Sequence, residues 1–511
     1  MNNKSDIRKS STDRNPQHHT PSLGLLELSL VVGEGALGVV VNLLVMVLVE
    51  RKLGQSALGV YSYLLSFYHL TSYVAKFGIP RFVERETALH SESPPEQEKV
   101  LGDGFQAILI LGLLVGSLCC LSAPYDSTHT RIQEKMAAYF LMGLAIPLRN
   151  LNRLRTASLH GRGRHDEAAK LQGKKHIVFL AAVLVLLFLG VTPSYVVASF
   201  LISELYLAMV GRKRLKLPPL RFVLVGLLRL RATLREGYGL IFTDDALEVI
   251  LYIDLLILGI FLSGRDVGAY AEASMLARFF LLIPMSIRPV FREKYCFLVA
   301  HAQERQASLL ARKAAARLFF LHAFLALAIL LFFSEILGWL FHEGVGESLS
   351  FQVFTVFVPG MLFAASVIAS EPLYEALGEV NSLRRLMMTV FSANFFLNVY
   401  LIPIAGLFGA ALATMISMLL YFLLFGMHMA KSYRLEKGLY LLAGAAVYVA
   451  YGLMQQIHAG VFTSMVLLVF LLSLLFYGIG FFNGDEKPAT QLNKGGEADG
   501  ETQGEILPQN R

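Results

Sequence analysis

The sequence predicts an all-α polytopic membrane protein of about 14 transmembrane helices, arranged as two parallel-related six-helix lobes plus two C-terminal helices. Composition is the first observation behind this. Of 511 residues 55% are hydrophobic and 16% charged, where a water-soluble chain carries about 25% charge, and the mean hydropathy is +0.56. The apolar runs are continuous over roughly 20 residues, enough helix to cross about 30 Å of hydrocarbon, whereas barrel strands alternate over about ten. The distribution of Lys and Arg and an internal repeat are the second and third observations.

Residues 1–22 are polar, of mixed charge and without the apolar core of a cleavable signal. They are expected to form a disordered cytoplasmic tail, with the first span retained. Apolar periodicity then places spans at 23–49, 57–79, 103–123, 136–157, 175–191 and 194–211, an N-lobe of residues 23–211. Arg149, Asn150, Asn152, Arg153 and Arg155 crowd the end of the fourth span and are grouped with the basic connection after it. A cytoplasmic linker, 212–237, leads to spans at 238–262, 267–289, 316–341, 351–376, 386–404 and 406–430, a C-lobe of residues 238–430. Two further spans, 438–457 and 460–482, make up the segment 438–482. A second polar tail, 483–511, is expected to be disordered and cytoplasmic.

The even-numbered connections, with the arginine-rich end of the fourth span, hold 31 of the 45 Lys and Arg, and the odd-numbered ones hold 5. Cytoplasmic connections collect basic residues. The even connections and both termini are therefore expected on the cytoplasmic side of the membrane. Self-similarity supports the two lobes. Gly59-Val60-Tyr61 reappears as Gly268-Ala269-Tyr270 at an offset of 209, Gly163 as Gly378 at 215, and Pro193, in the turn between the fifth and sixth spans, as Pro403, expected in the turn between the eleventh and twelfth, at 210. Six spans is an even number, so both copies enter the membrane from the same side, as in the parallel repeats of rocking transporters.

Charges within spans are the candidate functional residues. The seventh span carries Asp244, Asp245, Glu248 and Asp254 within one 180° arc. An ionised carboxylate at mid-membrane costs about 3 kcal/mol, and four would cancel what roughly fifteen aliphatic residues contribute. Such a helix must turn its acidic side toward protein, a cation or water, either as buried neutral acids or as a cation-coupling path. In the first span Glu27 sits at headgroup depth, while Glu34 lies deeper on the same azimuth and is a candidate cavity residue. Arg278 falls near mid-depth of the eighth span. Its guanidinium stays charged, so it pairs with a carboxylate such as Glu248 or Glu34 or meets an anionic substrate, whose phosphate would suit a planar fork of donors. Lys76 ends the second span, where it snorkels or joins that site. Arg288 and Arg292 close the eighth span and are candidate attractors of a phosphate head group. Glu204 is the remaining isolated acid of the sixth span.

The sequence has no GxxxxGK[ST] loop, HExxH or GxSxG signature and no large polar segment. A carrier is expected rather than an enzyme, with no catalytic residue, no nucleic-acid partner, no metal centre and no cofactor beyond coupling to H+ or Na+. Cys119, Cys120 and Cys296 lack metal-ligand spacing.

Several stretches carry a family likeness: LVERKLGQSALGVYSYLLSF (48–67), KFGIPRFVERETA (76–88), ASLHGRGRHDEAAK (157–170), DLLILGIFLSGRDVGAYAEAS (254–274) and ANFFLNVYLIPIAGLFGAALATMIS (393–417). Over residues 23–482 the chain resembles the multidrug/oligosaccharidyl-lipid/polysaccharide exporter superfamily, and within it the polysaccharide-biosynthesis flippases. The resemblance implies two lobes forming a V around a central cavity. It also implies a flippase moving an undecaprenyl-diphosphate-linked oligosaccharide from the cytoplasmic to the outer leaflet of a bacterial inner (cytoplasmic) membrane, for export of a surface polysaccharide. A lipid-diphosphate-linked glycan is then the substrate, and a polysaccharide polymerase and glycosyltransferases are expected membrane partners. By analogy Arg278 and Lys76 would meet the diphosphate, and Asp254 matches the family's acidic residue near the start of the second lobe. The acidic load of Glu34, Asp244, Asp245 and Glu248 departs from an anion-carrying pattern. It keeps open a cation-coupled multidrug exporter, with a non-transporting scaffold of a polysaccharide synthase as a third alternative.

Overall fold

The computed structural model describes residues 25–123, 132–215, 226–242, 246–332, 339–340 and 349–429. Both tails, the predicted spans within 438–482, Asp244 and Asp245 lie outside the described residues, as do the side chains of Glu27 and Glu248.

The N-lobe comprises α1 (Leu25–Leu53), α2 (Gln55–Lys76), α3 (Ile79–Leu89), α4 (Pro94–Ser122), α5 (Ile132–Gly161), α6 (His165–Phe188), α7 (Pro193–Val196) and α8 (Ala198–Arg214). A bridging helix, α9 (Gly226–Leu240), leads to the C-lobe. There α10 (Ala246–Phe261), α11 (Gly264–Ala300), α12 (Glu304–Leu331), α13 (Leu349–Ile368), α14 (Pro372–Ala376) and α15 (Val380–Met429) follow. Eight of the described helices are long and apolar enough to cross a bilayer, which makes this a multi-pass membrane protein. The shorter α10 and the more polar α2 and α5 fill the remaining predicted positions, and α15 holds the eleventh and twelfth spans together.

The end of α15's first half corrects the sequence expectation. The turn falls at Gly406, with φ 56 and ψ −129, and not at Pro403, which stays in the helix. Proline fixes φ at a helical value, whereas the reversal needs a positive φ that glycine reaches without a Cβ clash. Helices also run past the predicted spans. α4 begins at Pro94, α5 continues to Gly161, α11 passes Pro284 and Pro289 to Ala300, and α12 begins at Glu304. Hydropathy marks where apolar surface ends; arginine is a good helix former and does not end the helix. Arg149, Asn150, Asn152, Arg153 and Arg155 are therefore helical residues of α5, not part of a connection.

Within the N-lobe α4 packs on α5, α1 on α6, and α8 against α5 and α6; in the C-lobe α13 packs between α11, α12 and α15, and α10 against α15. The lobes meet along α2, which lies against α10 and α11. In a bilayer apolar burial alone does little to join helices, and small residues that let backbones approach take over. Gly59 of α2 abuts the carbonyl of Gly264, and Gly268 of α11 abuts the carbonyl of Gln55. Gln55 to Gly264 and Gly59 to Gly268 are both steps of 209 residues, so the contact is reciprocal about the repeat axis. At the other end of the bundle, called the basic end for its Lys- and Arg-rich connections, a second apolar cluster joins Ile79 and Val83 of α3 to Leu101, Phe105 and Leu154, with Leu230 and Leu234 of α9 against it. That packing leaves Arg229, Arg231 and Arg235 of α9 exposed.

Candidate functional site

Arg278 is the fifteenth residue of α11, about 21 Å along the helix from Gly264. Its guanidinium donates to the carbonyl of Leu251 at 3.1 Å and lies 4.0 Å over the ring of Tyr252. His69 of α2 stands at the repeat-related position, 209 residues earlier and at the same helix depth. Its ring centroid is 4.3 Å from that of Tyr252, so the lobes touch here through an imidazole and a phenol. On the other side of His69, Arg149 of α5 approaches Nδ1 to 3.3 Å and lies 4.7 Å over the ring of Tyr68. Tyr68 in turn stacks on Phe200 at 4.6 Å. A ladder of alternating rings and guanidinium groups thus runs from one lobe to the other at mid-depth.

Arginine carries only donors, so His69 Nδ1 accepts from Arg149 and its proton resides on Nε2. The positive charges of Arg149, Arg153, Arg278 and Lys175 all act on His69. Lys175 is bound to the buried Glu204 at 2.6 Å, which also accepts from Asn152 at 2.9 Å. Among the described residues no carboxylate pairs with Arg278, and Glu204 is the acid of this layer. Its electrostatics favour an anion. Arg278, His69, Arg153 and Lys175 are half-buried, while Arg149 and Tyr252 are buried.

Beyond that layer, toward the basic end, a cluster of ion pairs links the lobes through Arg81 and Glu375. Arg81 of α3 binds Glu84 at 2.9 Å and reaches across to Glu375 of α14 at 2.6 Å. Arg292 approaches the same Glu375 carboxylate at 3.3 Å, and Arg288 pairs with Glu371 at 2.9 Å. The hydroxyl of Tyr421 donates to Glu371 at 2.6 Å. Burial would push the Glu84 carboxyl up, but the charge of Arg81, followed by Arg292 and His160, holds it down at about 2. At the opposite end the glycine contact is backed by Glu272, which accepts from Gln55 at 3.2 Å and from Ser350 at 2.7 Å. The described residues of the two lobes are therefore in contact at both ends of the seam.

A separate acidic site lies inside the C-lobe. Asp254 is 1% exposed, accepts from Tyr270 at 2.7 Å and from Asn398 at 2.7 Å, and also from the hydroxyl of Thr414. The Asn398 amide is shared with Asn394, whose Oδ1 is 3.1 Å away. Asn398 Oδ1 is buried with no hydrogen-bond partner among the described residues.

The sequence-derived candidates therefore separate into three places. Arg278 is central. Lys76 is buried at the end of α2, its Nζ 4.9 Å over Tyr73, seven residues or about 10 Å beyond His69 toward the basic end; it does not join the central layer. Arg288 and Arg292 belong to the basic-end ion pairs. Glu34 is met by His176 at 3.5 Å rather than by Arg278, and Asp254 sits in its own cage. Asp244, Asp245 and the Glu248 side chain are outside the described residues. His69, Arg149, Arg153 and Lys175 were not singled out. The signal for His69 was its repeat relation to Arg278; that for Arg149 and Arg153 was their four-residue spacing, which puts both on one helix face.

Solved structures share this architecture. A lipid II flippase MurJ in an inward closed conformation has a TM-score of 0.71 at 14% identity, covering 89% of this chain and 100% of its own. An inward-facing multidrug resistance MATE family transporter of the MOP superfamily has a TM-score of 0.57 at 14% identity, covering 84% and 99%. A MOP superfamily transporter from Pyrococcus furiosus, described as having a binding pocket of reversed polarity that suggests a different function, has a TM-score of 0.56 at 12% identity, covering 79% and 95%. At these identities the likeness is one of fold. No curated protein matches the chain. The sequence profile described as polysaccharide biosynthesis protein matches residues 30–291, just over half of the 511 residues, and the chain belongs to that family, built on the fold of the MOP superfamily transporters.

Proposed function

We propose that the protein is a flippase for a lipid-diphosphate-linked oligosaccharide, moving an undecaprenyl-diphosphate-linked glycan from the cytoplasmic to the outer leaflet for export of a surface polysaccharide. The observation that carries this is the cationic layer at mid-depth between the lobes. Arg278 on one wall and Arg149 on the other present planar donors suited to phosphate oxygens, with Arg153 and Lys175 behind them. A multidrug exporter taking organic cations would be repelled by that layer. The basic end is the cytoplasmic end in this account. The substrate enters there once the Arg81–Glu375 pair parts, and leaves when the glycine seam opens at the other.

The Asp254 cage supports the coupling step. A carboxylate with the buried Asn398 Oδ1 and the Thr414 hydroxyl beside it suits H+ or Na+, a hard cation that takes oxygen ligands. It lies inside one lobe, apart from the substrate's anion. Charges of both signs are thus accommodated because they occupy different compartments.

The test is reconstitution in proteoliposomes with a fluorescent prenyl-diphosphate disaccharide and a leaflet-specific quencher. Arg278→Ala and Arg149→Ala are each expected to slow flipping at least tenfold with the protein still monodisperse. Flipping at the native rate in both variants would overturn the assignment.

A further inference from the structure

We propose that His69 is the proton-accepting residue of the central site: an anion bound between Arg149 and Arg278 takes the Arg149 donor off His69 Nδ1, and a proton from solvent replaces it. The proposal rests on the function given above and names how that site is linked to pH.

The starting state is fixed by valence. Arg149 can only donate, so the 3.3 Å approach to His69 Nδ1 requires an unprotonated nitrogen there. The cations around this imidazole come from both lobes. Arg149 and Arg153 face it from α5, Lys175 from α6 and Arg278 from α11. Tyr252 stacks on it from α10, and Tyr68 precedes it on α2 with its ring edge-on. Glu204 on α8 is already committed to Lys175 and Asn152.

A bridging diphosphate changes both the charge and the hydrogen bonds of this spacer. The two guanidiniums stand on either side of the His69–Tyr252 contact, one on each flank. An anion engaging both must lie across that contact, with its oxygens toward His69. Phosphate oxygens accept and do not donate, so a neutral Nδ1 would face them lone pair to lone pair once Arg149 has turned to the phosphate. Adding one proton converts that repulsion into a charge-assisted hydrogen bond. The anion's negative charge offsets the four cations that oppose this proton, and imidazole is the side chain suited to gaining one near neutral pH. No bond other than N–H forms, and the proton leaves when the anion does. His69 would thus carry one proton for each anion held, independently of the cation site at Asp254.

The experiment is isothermal titration calorimetry of the full chain in detergent at pH 7.5, run in two buffers of different ionisation enthalpy. The probe is a short-chain prenyl-diphosphoryl-glucose, a diphosphate diester whose own oxygens do not titrate near neutrality. The expected result is uptake of up to one proton per probe bound by the wild type, none by His69→Gln, and binding that tightens as pH falls from 8 to 6 only when His69 is present. His69→Arg, a fixed charge, should bind with no proton uptake and no pH dependence, which a structural role for the ring would not produce. Binding by the wild type without proton uptake, or equal uptake by His69→Gln, overturns the proposal alone. Failure of the wild type to bind the probe overturns it together with the flippase assignment.

Discussion

Arg81 Nη2 of the N-lobe lies 2.6 Å from Glu375 Oε2 of the C-lobe, although 294 residues separate them in sequence. Glu375 also receives Arg292, so one carboxylate gathers cations from both halves of the molecule. Arg81→Glu should open the basic end, and Arg81→Glu combined with Glu375→Arg should close it again in part. Cysteine labelling at Cys296, which is exposed on α11 near this end, offers a local readout. Faster labelling in the single variant and recovery in the double one is the expected pattern; unchanged rates would deny the pair a closing role.

The pH response of that end follows from Glu84. Its carboxyl is held at about 2 against an ordinary value near 4.3, a lowered folded-state value. The Arg81–Glu84 contribution is therefore complete above about 4.5 and is lost as pH falls toward 2. Melting temperatures of wild type and Glu84→Gln should differ by a constant amount from pH 8 to pH 5 and converge in stronger acid. A gap that closes between pH 8 and 6 would place the titrating group elsewhere.

At the opposite end, Gly59 and Gly268 leave no room for a methyl group, because a Cβ on either would overlap the backbone carbonyl of Gly264 or Gln55. Overpacking typically costs about 1 to 3 kcal/mol, and here the displaced atoms are backbone on both lobes. Gly59→Ala and Gly268→Ala should each weaken closure of this end by a similar amount, since the contacts are reciprocal. Double electron–electron resonance between spin labels placed on the two lobes would register a wider distance distribution. If only one of the two variants widens it, the contact is not symmetric in effect.

How much of this was legible in the sequence depends on the residue. Gly59 and Gly268 announced the repeat because each opens a Gly-x-Tyr tripeptide, 209 residues apart, and the structure places them where the two copies touch. The spans were legible because apolar runs have a length set by the bilayer. Arg149 and Arg153 were lost for the same reason: hydropathy counts charge as an exit from the membrane, and a cationic layer buried between lobes has the composition of a loop. Arg278 stood out only because apolar residues surround it on both sides. Its partners were not legible, since Tyr252 is an ordinary apolar-span residue and Glu34, one of the two carboxylates expected to pair with it, turns to His176 instead. The Asp254 cage draws Asn394, Asn398 and Thr414 from the two arms of α15, and only the Gly406 reversal brings those arms together.

Asp254→Asn tests whether that cage moves a cation. The substitution keeps size and removes the charge, and Tyr270 can still donate to the amide oxygen. Flipping driven by an imposed H+ or Na+ gradient should fall to the ungraded rate, while binding of a diphosphate probe to the central layer should stay within about twofold, because the cage and Arg278 occupy different sites. Loss of binding and coupling together would mean that the cage supports the fold of the C-lobe rather than a cycle.

The choice between Lys76 and Arg149 as the second cation decides where the diphosphate sits. The sequence favours Lys76, an isolated cation in an apolar span, but its Nζ is turned onto Tyr73 about a helix turn or two away from His69. Arg149 faces Arg278 across the His69–Tyr252 contact, and its fork geometry matters as much as its charge, since two parallel donors fit a phosphate better than a single ammonium. Arg149→Lys should therefore lose most of what Arg149→Ala loses, about 1.5 to 3 kcal/mol for a charged hydrogen bond, whereas Lys76→Gln should cost much less in probe affinity. Lys76 is buried, so its loss should appear instead in thermal stability. Titration of the three variants with prenyl-diphosphoryl-glucose ranks them directly. An order with Lys76→Gln weakest would move the site toward the basic end and make the ladder of rings and guanidinium groups a structural brace.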